Sequence, residues 1–316
     1  METTKIVLII PAFNEEMTIE QVITDFHQQL PDAEIVVIDN NSSDSTSAIA
    51  RRTLDQISPS GRLIFEGRQG KAMAMRTALS EIDADIYVMV DADSTYASQD
   101  VRSLIEPILA KEADMVVGDR HKTGAYRKEN KRLFHNFGNS VVRSLINVLF
   151  KAQLHDILSG YRVFSRDFVK GFPILTKGFE IETEMTLHAL EKRWRIVEIP
   201  VGYVDRPAGS FSKLNTFSDG IKVLGTIFSI FKYHKPFLFF SVMSLIFMIM
   251  GILTGSVVIA EFFATGYILH IPSAILSTGL MIISVVSLTI GIVLDTIVRL
   301  HNQEYELYRL NRFKNG

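Results

Sequence analysis

Short apolar runs alternate with helical patterns along the first two thirds of this 316-residue chain. Each run is continuous, which is typical of a strand buried on both faces of a sheet, and the segments between the runs repeat apolar residues at helical spacing. Strands that alternate with helices predict right-handed crossovers and a mostly parallel sheet. The predicted strands cover residues 5–10, 34–38, 62–65, 86–90 and 115–117.

Polar residues directly follow three of these runs. Asn14 and Glu15 come after the first predicted strand, Asp39 after the second, and Asp91 and Asp93 after the fourth. Ligands of a parallel sheet bind beyond the carboxyl ends of its strands. The pattern therefore predicts that these acidic and amide side chains meet at one edge of the sheet.

The last third of the chain contains two long stretches without a charged residue, 237–260 and 272–294. As a helix, the first would be about 36 Å long, enough to cross a hydrocarbon core of about 30 Å. Lysine and arginine flank the pair on both outer sides, while the link between the stretches has neither. The positive-inside rule then predicts an integral membrane protein with two spans, its N-terminal domain and both termini in the cytosol. Two buried core helices are the alternative, which is disfavoured because soluble helices need a polar stripe.

These patterns predict three regions. Residues 1–215 form a cytosolic α/β domain, 216–235 a juxtamembrane amphipathic helix, and 236–316 the two spans with a C-terminal tail. The juxtamembrane helix could lie in the membrane interface or pack on the α/β domain, and the sequence leaves both readings open. The same choice between lipid and a protein core stays open for the arginine-bearing segment 127–151.

Composition excludes several classes of protein. A net charge of −2 offers no bulk positive charge for nucleic acid, and the absence of cysteine excludes disulfides, thiolate metal sites and a cysteine nucleophile. No dinucleotide-binding glycine pattern follows the first strand, and residues 67–72 lack the spacing of a phosphate-binding P-loop. The histidines lack a metal-ligand spacing, so we interpret the following as surface or packing residues: His121, His135, His155 and His188.

The acidic pair Asp91 and Asp93 indicates a divalent cation. The two residues are two apart, so on an extended strand end their side chains point to the same side. Adjacent carboxylates repel each other unless a cation lies between them. Mg²⁺ and Mn²⁺ favour oxygen ligands, often carboxylates together with substrate phosphates. The pair therefore predicts an ion that stabilises a diphosphate leaving group.

The order and spacing of the motifs resemble the family 2 glycosyltransferases of the GT-A fold. The resemblance is closest to the polyprenyl-phosphate branch, which includes dolichol-phosphate mannose synthase and bacterial undecaprenyl-phosphate glucosyltransferases. It implies a Rossmann-like, mostly parallel sheet followed by interfacial and transmembrane helices. The motifs that carry it are IPAFNE (10–15), VID (37–39) with SSD (42–44), VDAD (90–93), VGDR (117–120), DILSGYR (156–162) and EIPVGYVDR (198–206).

The resemblance implies inverting transfer of one sugar from a nucleotide sugar to polyprenyl phosphate, with Mg²⁺ or Mn²⁺ held by Asp91 and Asp93. UDP-glucose and UDP-N-acetylhexosamine are favoured as donors over GDP-mannose. We expect the nucleotide sugar to contact Pro11, Ala12, Asn14, Glu15, Asp39, Asn41, Lys71, Asp91, Ala92 and Asp93. We expect the acceptor phosphate near Arg120, Arg127, Arg132, Arg162, Arg206, Ser212 and Lys213. The expected catalytic residues are Asp93, Asp156 and Arg206.

Some positions depart from the family pattern or allow two roles. Asn40 and Asn41 stand where the family has Asp and Gly, and asparagine tolerates the left-handed backbone that the turn requires. Asp156 could orient the acceptor, touch the metal region or pair with Arg162. Glu182 and Glu184 lie on different faces of a predicted helix, and Glu184 either takes the acidic position of the family or has a purely architectural role.

Two other functions remain as alternatives. One is a membrane glycosyltransferase that extends a polysaccharide, but that branch carries a Gln-x-x-Arg-Trp segment, to which residues 192–194 are only the nearest fragment. The other is a lipid or glycan transport component with a regulatory cytosolic domain, which is disfavoured because transport routes usually carry polar residues inside the membrane. The sequence leaves open whether the protein forms a homo-oligomer.

Overall fold

The computed structural model describes residues 4–58, 60–121, 133–174, 181–204, 225, 228 and 230–314 of the chain. The chain forms two compact units, Met1–Gly220 and Ile221–Gly316. The first unit carries the alternating strands and helices, and the second carries the long apolar helices.

In the first unit, seven strands are formed by the described residues. They are β1 (Ile6–Ala12), β2 (Glu34–Asp39), β3 (Arg62–Phe65), β4 (Ile86–Met89), β5 (Met115–Asp119), β6 (Arg162–Ser165) and β7 (Ile196–Pro200). The helices between them are α1 (Ile19–Gln29), α2 (Thr46–Ile57), α3 (Lys71–Glu81), α4 (Val101–Leu109), α5 (Leu133–Phe150), α6 (Arg166–Gly171) and α7 (Ile181–Glu191).

The strands form one mostly parallel sheet in the order β3-β2-β1-β4-β6-β5-β7. Strand β6 is antiparallel to both of its neighbours, β4 and β5, whereas the other pairs are parallel. The predicted sheet is thereby confirmed, and each of the five predicted strands lies within two residues of its observed bounds. Strands β6 and β7 were not predicted.

The buried pattern explains why these segments form a sheet covered by helices. Residues Val7 to Ile10 of β1 are fully buried, because α-helices cover both faces of a parallel sheet. Helix α1 buries Ile19, Val22, Ile23 and Phe26, which lie on one helical face. Each such side chain contributes about 1.5–3 kcal/mol when it is removed from water. The rigid sheet then sets the positions of the loops at its edges.

Helix α5 has a buried face, which bears on the open choice for the segment 127–151. Val142 and Ile146 are buried, and Ile146 is completely inaccessible, whereas Val148 is exposed. The described part of this segment therefore directs Ile146 to the protein core. Residues 127–132 of the segment lie outside the described part of the chain.

The second unit contains helices α8 (Pro236–Thr265) and α9 (Ile271–Lys314). Proline opens α8, and Gly266 ends it with a left-handed φ of 73°. Both helices are long and apolar enough to cross a membrane, and only 17 % of each apolar window is buried. Ser244 and Ser284 join the helices through a hydrogen bond of 3.0 Å between their hydroxyl groups.

The predicted spans 237–260 and 272–294 lie inside these helices. Helix α9 continues past the predicted end because charged residues end the apolar stretch without breaking the helix, as the Asp295–Arg299 pair at i, i+4 illustrates. Most of the predicted juxtamembrane helix, 216–235, lies outside the described residues.

Candidate active site

The loops at the carboxyl edge of the sheet are joined to one another. The amide of Asn14 donates to Ser42 Oγ (3.0 Å), and Asn14 Oδ1 accepts from the amide of Ser43 (2.8 Å). Thr18 Oγ1 donates to the carbonyl oxygen of Ala92 (2.7 Å), which links the β1 loop to the acidic pair. The predicted convergence of the three polar strand ends is therefore seen in the geometry.

Each of these three loops contains a residue with a left-handed backbone. The φ angles are 53° at Asn14, 61° at Asn41 and 58° at Ser94. Asparagine adopts this conformation more readily than most residues, since its short polar side chain can bond locally. The turn expected at Asn41 is thereby present without the glycine of the family pattern.

Asn40 holds the loop that follows β3. Its Nδ2 donates to the carbonyl oxygens of Glu66 (3.2 Å) and Arg68 (2.7 Å), and its Oδ1 accepts from the amide of Gly70 (2.7 Å). A carboxylate cannot donate to those carbonyls, so only an amide can make this set of bonds. Gly70 has a φ of 126°, which favours glycine. Together these residues set where α3 and Lys71 begin.

Lys71 lies between two carboxylates. Its ammonium donates to Asp91 Oδ1 and to Glu182 Oε1 of α7. The side chains of Lys71 and Glu182 are 13 % and 8 % exposed, and that of Asp91 is 28 % exposed. Burial alone would lower the pKa of Lys71, but the charges of Asp91 and Glu182 outweigh burial and hold this pKa above its ordinary value. Lys71 is therefore charged.

Glu182 is a site residue that the sequence did not identify. The family pattern directed attention to Glu184, which is half-buried, whereas Glu182 is the residue that reaches Lys71. The two residues lie on different faces of α7, and only the packing of that helix decides which of them faces the sheet edge.

Asp91 is packed against Gly160 of the loop before β6. A Cβ atom at Gly160 would lie 2.2 Å from Asp91 Oδ2, so glycine is required for this close approach. The amide of Gly160 donates to the Tyr96 hydroxyl (2.8 Å), and burial raises the pKa of Tyr96, which stays neutral.

Asp93 is buried, and its Oδ1 accepts from the hydroxyl (2.6 Å) and the amide (3.2 Å) of Thr95. Asp91 and Asp93 remain a prediction as metal ligands.

Asp156 pairs with Arg120 and not with Arg162. Arg120 donates from Nε to Oδ2 (2.7 Å) and from Nη2 to Oδ1 (2.9 Å), and the side chains are 12 % and 2 % exposed. Burial would raise the pKa of Asp156, but the charge and hydrogen bonds of Arg120 outweigh it and hold the pKa below its ordinary value. The Arg120 guanidinium also lies 5.6 Å from the centre of the Tyr203 ring. Asp156 thus orients Arg120.

Arg162 has a different position from the predicted phosphate contact. It is completely buried, and it donates to the carbonyl oxygens of Ser159 (2.8 Å) and Ile157 (2.7 Å) and to Thr186 Oγ1 (3.0 Å). Burial lowers the pKa of Arg162. The guanidinium therefore supports the 156–161 loop from inside the protein instead of meeting a ligand at the surface.

Asp119, His155 and Glu198 form a second polar cluster at this edge. Their potential ligand atoms lie within 4.8 Å of one another, which fits the separation needed to hold a metal ion. Glu198 accepts from the amides of His155 (2.8 Å) and Asp156 (2.8 Å), and His155 Nδ1 lies 3.0 Å from Glu198 Oε2. From the sequence, His155 is interpreted as a surface or packing residue, because the three residues come from separate segments with no ligand spacing.

Five of the predicted site residues lie outside the described part of the chain. They are Arg127, Arg132, Arg206, Ser212 and Lys213. Their roles stay predictions from the resemblance, as does the catalytic role of Arg206.

Comparison with known proteins places this geometry in a family. A sequence model described as "Glycosyl transferase family 2" matches residues 7–172. Glycosyltransferase AglJ of Haloferax volcanii is 28 % identical over 301 residues, which cover 94 % of this chain and 95 % of that protein. The dolichyl-phosphate hexose transferase of the same organism is 28 % identical over 218 residues, covering 68 % of this chain and 89 % of the relative.

A solved structure with the same fold is that of glucosyl-3-phosphoglycerate synthase from Mycobacterium tuberculosis in complex with Mn²⁺, UDP and phosphoglyceric acid. The TM-score is 0.52 at 22 % identity, with 65 % of this chain and 72 % of that chain covered. The mostly parallel sheet with its mixed region is therefore a GT-A type sheet.

Proposed function

Because this chain belongs to glycosyl transferase family 2, we propose that it transfers one sugar from a nucleotide sugar to a polyprenyl phosphate at a membrane surface. The observation that carries the proposal is the joining of two features in one chain. The carboxyl edge of a GT-A type sheet presents Asp91 and Asp93, and the same chain continues into two helices that expose apolar side chains along their length. A lipid acceptor cannot leave the bilayer, so an enzyme that uses it must work at the membrane.

The relatives support this acceptor. One relative with 89 % of its length covered is named for transfer of a hexose to dolichyl phosphate, a polyprenyl phosphate. The relative that spans almost the whole chain is named a glycosyltransferase. For the donor we favour UDP-glucose or a UDP-N-acetylhexosamine over GDP-mannose.

A divalent cation fits the residues at the sheet edge. Carboxylate oxygens are the ligands that Mg²⁺ and Mn²⁺ prefer, and the position beside Asp91 already holds one positive charge, the ammonium of Lys71. We propose that Asp91 and Asp93 would hold the ion, which would supply positive charge to the diphosphate leaving group. Asp39 and the joined loops of Asn14 and Asn41 would position the nucleotide.

The protein's task toward the acceptor is positioning rather than proton removal. A phosphate monoester has a second pKa of about 6, so it is already largely a dianion at neutral pH and needs little help from a base. Asp156 is bound to Arg120 through two hydrogen bonds, which suits it to hold that guanidinium toward a phosphate. A single displacement by the phosphate oxygen would break the bond to the nucleotide diphosphate and invert the anomeric centre. The positive-inside pattern of the sequence favours the cytosolic face for this reaction.

The test is transfer to a defined lipid. The full chain in lipid nanodiscs would be incubated with undecaprenyl phosphate, Mn²⁺ and a panel of UDP- and GDP-sugars, and the lipid weighed by mass spectrometry. We expect one hexose or N-acetylhexosamine unit on the lipid phosphate. Asp93→Asn should abolish the product, whereas Asp85→Asn, the same change just before the amino end of β4, should keep it.

Two results would contradict the proposal. A polysaccharide product with no modified lipid would indicate the polymer-extending function instead. Equal loss of product in the Asp85→Asn and Asp93→Asn proteins would show that the assay reports folding and not the edge of the sheet.

A further inference from the structure

The ammonium of Lys71 is bound by two carboxylates, which is one more than its single positive charge neutralises. Asp91 alone would neutralise it, yet the carboxylate of Glu182, only 8 % exposed, also accepts from the same nitrogen at 2.5 Å. Buried ionised carboxylates are costly unless positive charge compensates them. Lys71, Asp91 and Glu182 together carry one negative charge more than positive.

The fold sets the backbone positions of Lys71 and Glu182. Lys71 opens α3 directly after Gly70, whose amide is bound to Asn40 Oδ1. Glu182 lies in the first turn of α7, and its carbonyl oxygen accepts from Thr186 Oγ1 (2.9 Å). The same hydroxyl accepts a hydrogen bond from Arg162. The lysine stem is long and its ammonium is a compact charge with three rotatable N–H donors. The ammonium can therefore change partners while both backbones stay in place.

We propose that Glu182 is a positioning residue for the cation site, acting through Lys71. It gives the ammonium a second carboxylate, so that Lys71 can release Asp91 to an incoming divalent cation and stay bound beside it. This inference rests on the proposed function, in which Asp91 and Asp93 hold that ion. With Glu182 as its partner, Lys71 keeps an N–H that can turn toward a phosphate oxygen of the donor.

A purely structural role for Glu182 makes a different prediction. Glu182 contributes favourable charge to the buried Arg162, so it could serve only as a distant counter-charge. In that case, removal of its charge would destabilise the fold but leave the cation affinity of the folded protein unchanged. In the proposed role, removal of the Glu182 charge leaves the Lys71 ammonium with Asp91 as its one carboxylate partner. An incoming cation must then displace the ammonium from Asp91.

The experiment measures binding of Mn²⁺ alone, without donor or lipid, by the electron paramagnetic resonance signal of the free ion. Purified full-length protein would be compared with Glu182→Gln, Lys71→Met and the double variant. We expect Glu182→Gln to weaken Mn²⁺ binding about tenfold, which corresponds to about 1.4 kcal/mol. Lys71→Met should bind Mn²⁺ at least as tightly as the wild type, because the competing charge is gone. The double variant should behave as Lys71→Met.

Glu184→Gln is the matched control, since it makes the same change two residues along α7 and should leave Mn²⁺ binding unchanged. If Glu182→Gln does not fold, Glu182→Asp carries the same test, with a smaller loss. Unchanged Mn²⁺ binding in a folded Glu182→Gln protein would overturn the inference, and so would weaker binding by Lys71→Met. Wild-type protein that binds no Mn²⁺ would overturn the proposed metal site itself, whereas Mn²⁺ binding by the wild type that Glu182→Gln leaves unchanged would overturn this inference alone.

Discussion

Lys71 and Arg120 are two cations at the carboxyl edge of the sheet, and they differ in how carboxylates hold them. Lys71 is shared by two carboxylates, one from the loop after β4 and one from α7. Arg120 is bound by one carboxylate, Asp156, in a two-bond fork. Both cations are mostly buried, but the ammonium is a point charge that can reorient, whereas the planar guanidinium is held in one geometry.

The difference indicates two kinds of task. The pair with one carboxylate lies next to Glu198, which accepts from the amides of His155 and Asp156 and so holds the loop that carries Asp156. That side of the edge is suited to present a fixed charge to an incoming phosphate. The side with Lys71 is suited to changes in charge when a cation and a diphosphate arrive and leave. Substituting one carboxylate at a time can test the task of Lys71 separately from that of Arg120.

The largest expected effect is on stability at Asp156. Asp156→Asn removes the charge that Arg120 binds with two N–H groups in a buried setting, and we expect a loss of about 3 kcal/mol in the free energy of unfolding. Asp91→Asn should cost less than about 1 kcal/mol, because Lys71 keeps Glu182 as a partner. Urea unfolding of both variants measures the contrast. Equal losses would mean that the shared pair is as rigid as the forked one.

The next effect is on activity at Gly160. Gly160→Ala would place a Cβ atom 2.2 Å from Asp91 Oδ2, so the carboxylate must leave its position beside Lys71. We expect kcat/KM to fall about 100-fold, a loss of about 2.7 kcal/mol. The control is Gly67→Ala, whose Cβ would meet the Phe65 ring at an ordinary 3.5 Å. Release of nucleotide diphosphate measures both, and near-normal activity in Gly160→Ala would show that the Asp91 position is not critical.

A smaller effect is expected at Asn40, which sets the start of the helix that carries Lys71. Asn40→Asp replaces a donor with a carboxylate that faces the carbonyl oxygens of Glu66 and Arg68, and it should cost about 1–3 kcal/mol of stability. Asn41→Asp is the control, because it is exposed and aspartate also tolerates a positive φ. Thermal unfolding of the two variants is the measurement. A stable Asn40→Asp protein would mean that the loop does not depend on the amide.

The smallest effect is a pH dependence that belongs to the forked pair. The pKa of Asp156 is lower in the folded protein than its ordinary value of about 3.9, so the pair contributes stability above that pH and loses it as the pH falls through the folded pKa. The difference in unfolding free energy between wild type and Asp156→Asn should therefore shrink as the pH falls below about 4. A difference that does not change with pH would contradict the assigned charge of Asp156.

The sequence predicted the sheet well where a strand is a continuous apolar run. The first five strands are such runs, and their ends differ by no more than two residues from the observed ones. Strand β6 was not predicted because its first residue, Arg162, is the last residue of the DILSGYR motif (156–162), which from the sequence resembles a loop. Its antiparallel place between β4 and β5 is a property of the whole sheet that no local pattern contains.

The candidate site was predicted in its residue types more than in its pairings. Asp91 and Lys71 were both expected at the donor, but their contact with each other was not. Asp156 was weighed as a partner of Arg162, and the structure pairs it with Arg120 instead. Asn40 was seen as a lost carboxylate, whereas its amide holds the loop before Lys71.

The sequence by itself determined the alternation of strands and helices, the two uncharged stretches and the family motifs. These follow from backbone periodicity and from the charges that a helix can bury, which act over neighbouring residues. Only the tertiary structure decided that Glu182 and not Glu184 reaches Lys71, and that Asp156 binds Arg120. Lys71 and Glu182 are 111 residues apart, and Arg120 and Asp156 are 36 apart. Such pairs form only after the sheet has set the distance between its loops.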